Sequence, residues 1–128
     1  VMVDGVPYLD GGIVDSIPIE RAVSMGFRRN VVIATRNRGF RNTGKDRKIP
    51  RFIYKNYPRL RVALSRRIAL YNQQLDMLER MEDSGEVLCI RPQRPMEVDR
   101  IEKDATKLER LYEEGYNLGD EFCRKGLL

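Results

Sequence analysis

Two short apolar runs constrain this chain more than anything else in it. Val31-Val32-Ile33-Ala34-Thr35 and Val87-Leu88-Cys89-Ile90 show no polar alternation. Continuous apolarity over so few residues fits strands buried on both faces, as in a parallel sheet. Parallel neighbours need a long crossover, usually a helix. The clearest helical pattern stands between the two runs. Pro58 opens it, Leu60, Leu64, Ile68, Tyr71, Leu75 and Leu78 form one apolar stripe, and Asp83-Ser84-Gly85 ends it. A shorter helix is expected over Ile17–Met25, stopped by Gly26. A last helix starts after Pro95, near Val98 or Asp99, with a stripe through Ile101, Ala105, Leu108, Leu111 or Tyr112, Gly115, Leu118 and Phe122. Gly115 and Gly119 are points where it would kink or fray. With an extended run over Val1–Leu9, turned once by Asp4-Gly5, the predicted order is β-α-β-α-β-α. The predicted class is α/β, with a partial three-layer, mostly parallel sheet. Three strands are too few for helices on both faces to cover.

The first run leads into Tyr8-Leu9-Asp10-Gly11-Gly12-Ile13-Val14-Asp15-Ser16-Ile17-Pro18. Gly11 and Gly12 allow a sharp turn with φ > 0 and leave the Asp10 carboxylate unshielded. Pro18 suits a first helical turn, with Ser16 or Asp15 near enough to cap it. A carboxylate at the end of a strand stands where open α/β sheets place their sites. On local chemistry alone the better reading of Asp10 is a turn aspartate capping the helix after it, since Asp-Gly is a common turn pair. Asp15 is a candidate second carboxylate, with helix capping its better reading.

Charge is unevenly spread. Residues 36–67 hold twelve Arg and Lys against Asp46 alone, whereas residues 68–128 hold nine bases against fourteen acids. Within a predicted loop over residues 36–57, Arg36, Arg38, Arg41, Lys45, Arg47, Lys48, Arg51 and Lys55 interleave with Phe40, Phe52 and Tyr54. A solvated loop is the plain reading. Contacts of Arg36, Arg38 and Arg41 with an anionic membrane or phospholipid headgroup come next. Nucleic acid is third and disfavoured, since no groove-reading motif accompanies the bases and the carboxy-terminal part is acidic.

Histidine is absent, which excludes Ser–His–Asp and Cys–His arrangements drawn from these 128 residues alone. Cys89 and Cys123 make neither a disulfide framework nor a zinc spacing, and both read as buried or half-buried thiols. No phosphate-cradling loop or metal-ligand cluster stands out. No apolar run approaches the roughly 20 residues of a membrane span. A reducing cytoplasm is the expected compartment, with contact at the membrane periphery left open.

The run YLDGGIVDSIPIERAVSMG resembles the aspartate-bearing block of patatin-like phospholipases, and VVIATRNRGFR, EVLCIRP and LERLYEEGYNLGDEF resemble the region after that block in bacterial members. The resemblance covers nearly the whole chain. It implies a lipid acyl hydrolase with a Ser–Asp dyad, no metal and no cofactor, acting on a lipid or acyl-ester substrate, with Asp10 as the dyad aspartate. The family's Gly-rich oxyanion loop and G-x-S-x-G turn precede that block, and neither occurs here. None of Ser16, Ser24, Ser65 or Ser84 has a G-x-S-x-G setting. Residues 1–128 are therefore expected to be the carboxy-terminal part of a patatin-like domain, inactive alone and missing its amino-terminal part. The start at Val1 rather than Met agrees with a truncated or processed piece. Two alternatives stand beside this: a basic binding module for anionic membranes or nucleic acid, and a dimer that covers an exposed sheet edge.

Overall fold

The computed structural model describes residues 1–46, 48–98 and 101–126. The chain begins with a hairpin, β1 (Met2–Val3) against β2 (Val6–Pro7), antiparallel with Val3 opposite Val6. Asp4 and Gly5 both take positive φ, 49° and 77°, as the tight turn of a two-residue hairpin requires. Reciprocal hydrogen bonds between Val1 and Tyr8 extend the pairing. A single 3-10 turn over Gly11–Ile13 comes next, then α1 (Ile19–Ser24), β3 (Asn30–Ile33), α2 (Pro58–Asp83), β4 (Val87–Ile90) and α3 (Ala105–Arg124).

β3 and β4 pair in parallel, Val32 opposite Cys89 and Ile33 opposite Ile90, with α2 as the crossover. The core lies on one face of this pair. Ile19 of α1, Leu78 of α2, and Val87 and Cys89 of β4 are buried together, with Val32, Ala22, Met77 and Met81 packed around them.

The expected partial three-layer, mostly parallel sheet in β-α-β-α-β-α order is not formed. Among the described residues there are two separate two-stranded sheets, one antiparallel and one parallel. The physical reason is local. The Asp4-Gly5 turn folds the first apolar run onto itself, so its backbone groups pair within the hairpin and do not add a strand beside β3. Burial of β3 on both faces is likewise corrected: Val31 and Ile33 are exposed, and the strand alternates.

Helix ends obey local chemistry. At the end of α2 the Glu86 amide donates to the Met81 carbonyl and the Gly85 amide to that of Glu82, with Gly85 at φ 74°. That pair of bonds is a Schellman motif, in which glycine accepts the left-handed conformation. The same pattern closes α1 through Gly26 and Phe27. α3 starts later than expected. The Asp104 carboxylate caps the Thr106 and Lys107 amides, so this capping residue outweighs the Pro95 signal. Ile101 lies before the helix and is exposed, while Asp99 lies outside the described residues. α3 runs unbroken through Gly115 and Gly119.

Candidate functional site

Asp10 comes directly after the hairpin. It caps the 3-10 turn, its Oδ1 accepting from the Gly12 amide at 2.8 Å, and the residue is exposed. This is the helix-capping geometry of a turn aspartate, and it fixes the carboxylate through one oxygen. Neither Gly11 nor Gly12 has a positive φ, so the expected left-handed turn is replaced by 3-10 geometry. A Cβ at Gly12 would lie 3.3 Å from Asp10 Oδ1, a tight contact that would press on the capping carboxylate.

α2 anchors this block. Arg67 Nε donates to the Gly12 carbonyl at 3.3 Å. Two turns further, buried Gln74 accepts from the Ser16 amide at 3.1 Å and donates to Asp15 Oδ1 at 2.6 Å. Residues seven apart share a helix face, so one face of α2 holds the turn that presents Asp10. Asp15 therefore satisfies a buried amide, and α1 has no side-chain cap. The serine hydroxyls are spent locally, Ser16 on Gly12, Ser24 on Arg21, Ser65 on Val62 and Ser84 on Met81 carbonyls.

Residues 36–46 form a strap running antiparallel to α2. Arg38 pairs with Glu82 at 3.1 Å and Asp83 at 2.7 Å, and Arg41 with Asp76 at 2.6 Å and Glu79 at 2.8 Å. The Gly39 amide donates to Glu79, and Asn42 and Asn72 exchange two hydrogen bonds. Asp46 accepts from the Ile68 and Ala69 amides inside α2. Arg36 lies over the Phe40 ring, 4.8 Å from its centroid. Two of the three arginines expected to meet an anionic headgroup are thus held by carboxylates of their own chain. Arg47 lies outside the described residues.

Arg91 extends the network from the other side. Its guanidinium is almost completely buried and meets Glu82 at 2.6 Å and Glu79 at 3.8 Å. The Arg41 hydrogen bond holds the Glu79 carboxyl down to about 2, despite the opposing effect of burial, with the Gly39 amide and Arg91 assisting. Arg91 Nε also donates to Cys89 Sγ at 3.1 Å, and burial pushes that thiol up. Cys123, expected to be at least half buried, is exposed. Sequence reading missed this network. Its one local signal is the acid spacing in α2, where Asp76, Glu79 and Asp83 recur every three or four residues and share a face.

A mostly apolar cleft of about 290 Å³ lies beyond the carboxyl ends of β3 and β4, lined by Ala34, Ile90, Met96, Leu111 and Leu118 among others, with Arg91 and Glu114 as its charged groups. Among the described residues no group of three or more Cys, Asp or Glu is placed to hold a metal ion, and no helix is long and apolar enough to cross a membrane.

Residues 57–126 match a family described as a domain of unknown function, DUF6363. The matched region is more than half of the chain. The chain belongs to the DUF6363 family. No curated protein and no solved structure matches it. The DUF6363 region takes in α2, β4 and α3, and with them the acids of the network and Arg91. Asp10, Gly11, Gly12 and the strap arginines lie before it.

Proposed function

We propose that this chain is the aspartate-bearing part of a Ser–Asp dyad lipid acyl hydrolase, with Asp10 as general base. The observation that carries the proposal is the presentation of Asp10. Its Oδ1 is oriented by the Gly12 amide, the residue is exposed, and the backbone under it is tied to α2 through Arg67 and Gln74. Exposed Tyr8, Leu9 and Val14 flank it in the chain, an apolar surround suited to burial against a further segment or an acyl group. The resemblance of this block to patatin-like phospholipases supplies the reaction class.

In this mechanism a serine from outside residues 1–128 attacks the ester carbonyl as Asp10 takes its proton. The tetrahedral intermediate collapses, and the departing alkoxide receives that proton from Asp10. Asp10 then removes a proton from water, which attacks the acyl-enzyme, and the serine leaves with the proton restored. The oxyanion donors also come from outside this sequence.

The test starts with the intact mass of the native polypeptide and labelling with a fluorophosphonate probe, which marks an activated serine. A longer polypeptide that labels, and whose Asp10→Asn variant loses turnover by roughly 10²–10⁴-fold with its fold intact, is the expected result. An Asp10→Asn variant that keeps most of its turnover removes Asp10 from the role. Dyad-dependent turnover by residues 1–128 alone contradicts the need for an external serine.

A further inference from the structure

The charges of α2 run against its dipole. Arg59, Arg61, Arg66 and Arg67 stand in its amino-terminal half, and Asp76, Glu79, Glu82 and Asp83 in its carboxy-terminal half. A helix dipole favours the reverse order. Arg38, Arg41 and Arg91 neutralise the acidic end. Nothing comparable serves the basic end. From Arg47 to Leu75 the sequence has no acidic residue, and both oxygens of Asp46 are taken by helix amides. Among the described residues, Lys45, Lys48, Arg51, Lys55, Arg59 and Arg66 join no ion pair, and all six are exposed.

The segment before α2 carries apolar groups among these bases. Two turns, closed by Ile53 to Pro50 and Tyr57 to Tyr54 hydrogen bonds, hold Phe52, Ile53, Tyr54 and Tyr57 on the surface, with Phe52 80% exposed. Tyr54 takes φ 53°, unusual for a residue with a side chain. An exposed aromatic and aliphatic cluster bracketed by Lys and Arg matches the chemistry of a membrane interface, where aromatics sit at headgroup level and bases attract anionic lipid. Eighteen residues of helix, about 27 Å, separate Arg61 from Glu79. That exceeds the screening length of about 8 Å at physiological salt, so the acidic end does not cancel the field at the basic end. An extended polyanion would run on toward that acidic end, whereas a bilayer meets one end only.

We propose that this basic lobe, Lys45, Lys48 and residues 51–66, is a docking surface for anionic lipid membranes, with Phe52 and Tyr54 as its apolar contacts. The proposal goes beyond the hydrolase reading and involves neither Asp10 nor turnover.

The 128-residue chain is mixed with phosphatidylcholine vesicles, with or without phosphatidylserine, and bound protein is measured by co-sedimentation. Binding to the anionic vesicles alone, falling as salt rises, is expected. Each base near the surface contributes about fivefold, so K48Q/R51Q/K55Q should weaken binding on the order of a hundredfold. Phe52→Ser should weaken it at constant charge, and Asp10→Asn should leave it unchanged. R28Q/R29Q, which removes exposed charge elsewhere, is the control and should have a smaller effect. In Phe52→Trp, indole emission should shift to the blue on anionic vesicles. Equal binding to neutral vesicles, or indifference to the lobe substitutions, overturns the proposal. So does tight binding to a single-stranded oligonucleotide without vesicle binding, which would assign the lobe to nucleic acid.

Discussion

At the scale of single residues, Glu79 shows how partners decide what a charge does. Its side chain is only 16% exposed and takes hydrogen bonds from Arg41 and the Gly39 amide. These hold its carboxyl at about 2, against an ordinary value of 4.5. The unfolded chain binds this proton more readily than the folded one. The resulting stability is therefore present above about pH 4.5 and is lost as the pH falls through the folded value near 2. Urea midpoints measured between pH 7 and pH 2 should fall over that window. Glu79→Gln should flatten that part of the profile and lower stability near neutrality by about 2 kcal/mol, because Arg41 and the Gly39 amide lose a charged, largely buried acceptor. An acid limb of unchanged slope in the variant would exclude Glu79 as its source. None of this is visible locally. The sequence shows a basic run at 36–55 and acids in a helix, but pairing Arg41 with Glu79 needs the strap to fold back along α2.

At the scale of elements, sequence and structure agree where a boundary rests on its own residues. Pro58 begins α2 and Gly85 stands just past its end because one removes an amide that needs no partner and the other accepts φ 74°. Asp4-Gly5 likewise encodes a hairpin turn. The contrast between two glycines makes this measurable. Gly85→Ala meets no clash, yet must hold a left-handed backbone, and should destabilise by about 1 kcal/mol. Gly115 lies inside α3 without positive φ and with open space around a Cβ. Gly115→Ala should stabilise by up to about 1 kcal/mol through helix propensity. Thermal unfolding of the two variants should move in opposite directions. Two shifts of the same sign would mean that backbone conformation is not what separates them. The start of α3 was less legible because Pro95 and Asp104 are competing signals, and capping by Asp104 decided it.

At the scale of the whole molecule, the notable quantity is surface. The chain exposes 10497 Å², whereas a compact monomer of 15.0 kDa exposes about 7,000 Å². The excess lies partly in the exposed hairpin and at β3. Ala34 donates to the Ile90 carbonyl, and strand alternation then turns the Val31 and Ile33 amides to the outer edge of β3. Ile33 is 77% exposed. These amides should exchange quickly in the 128-residue chain. In a longer polypeptide that adds a strand at this edge they should be protected. Hydrogen exchange resolved to β3 makes the comparison, and equal rates in both would show that nothing pairs with this edge. Protection that grows with concentration in the short chain would point to self-association.

By itself the sequence determined what short-range forces decide: the Asp4-Gly5 turn, the two apolar strands, the limits of α2, the loop character of residues 36–46 and 48–57, and the exposed setting of Asp10. Each depends on backbone preference or on periodicity within a few residues. Tertiary structure alone decided that Arg38 and Arg41 neutralise the acidic end of α2. It also left the bases around Phe52 without carboxylate partners among the described residues. These outcomes depend on groups tens of residues apart reaching one another. A linear pattern records the charges, but only the fold determines which of them meet.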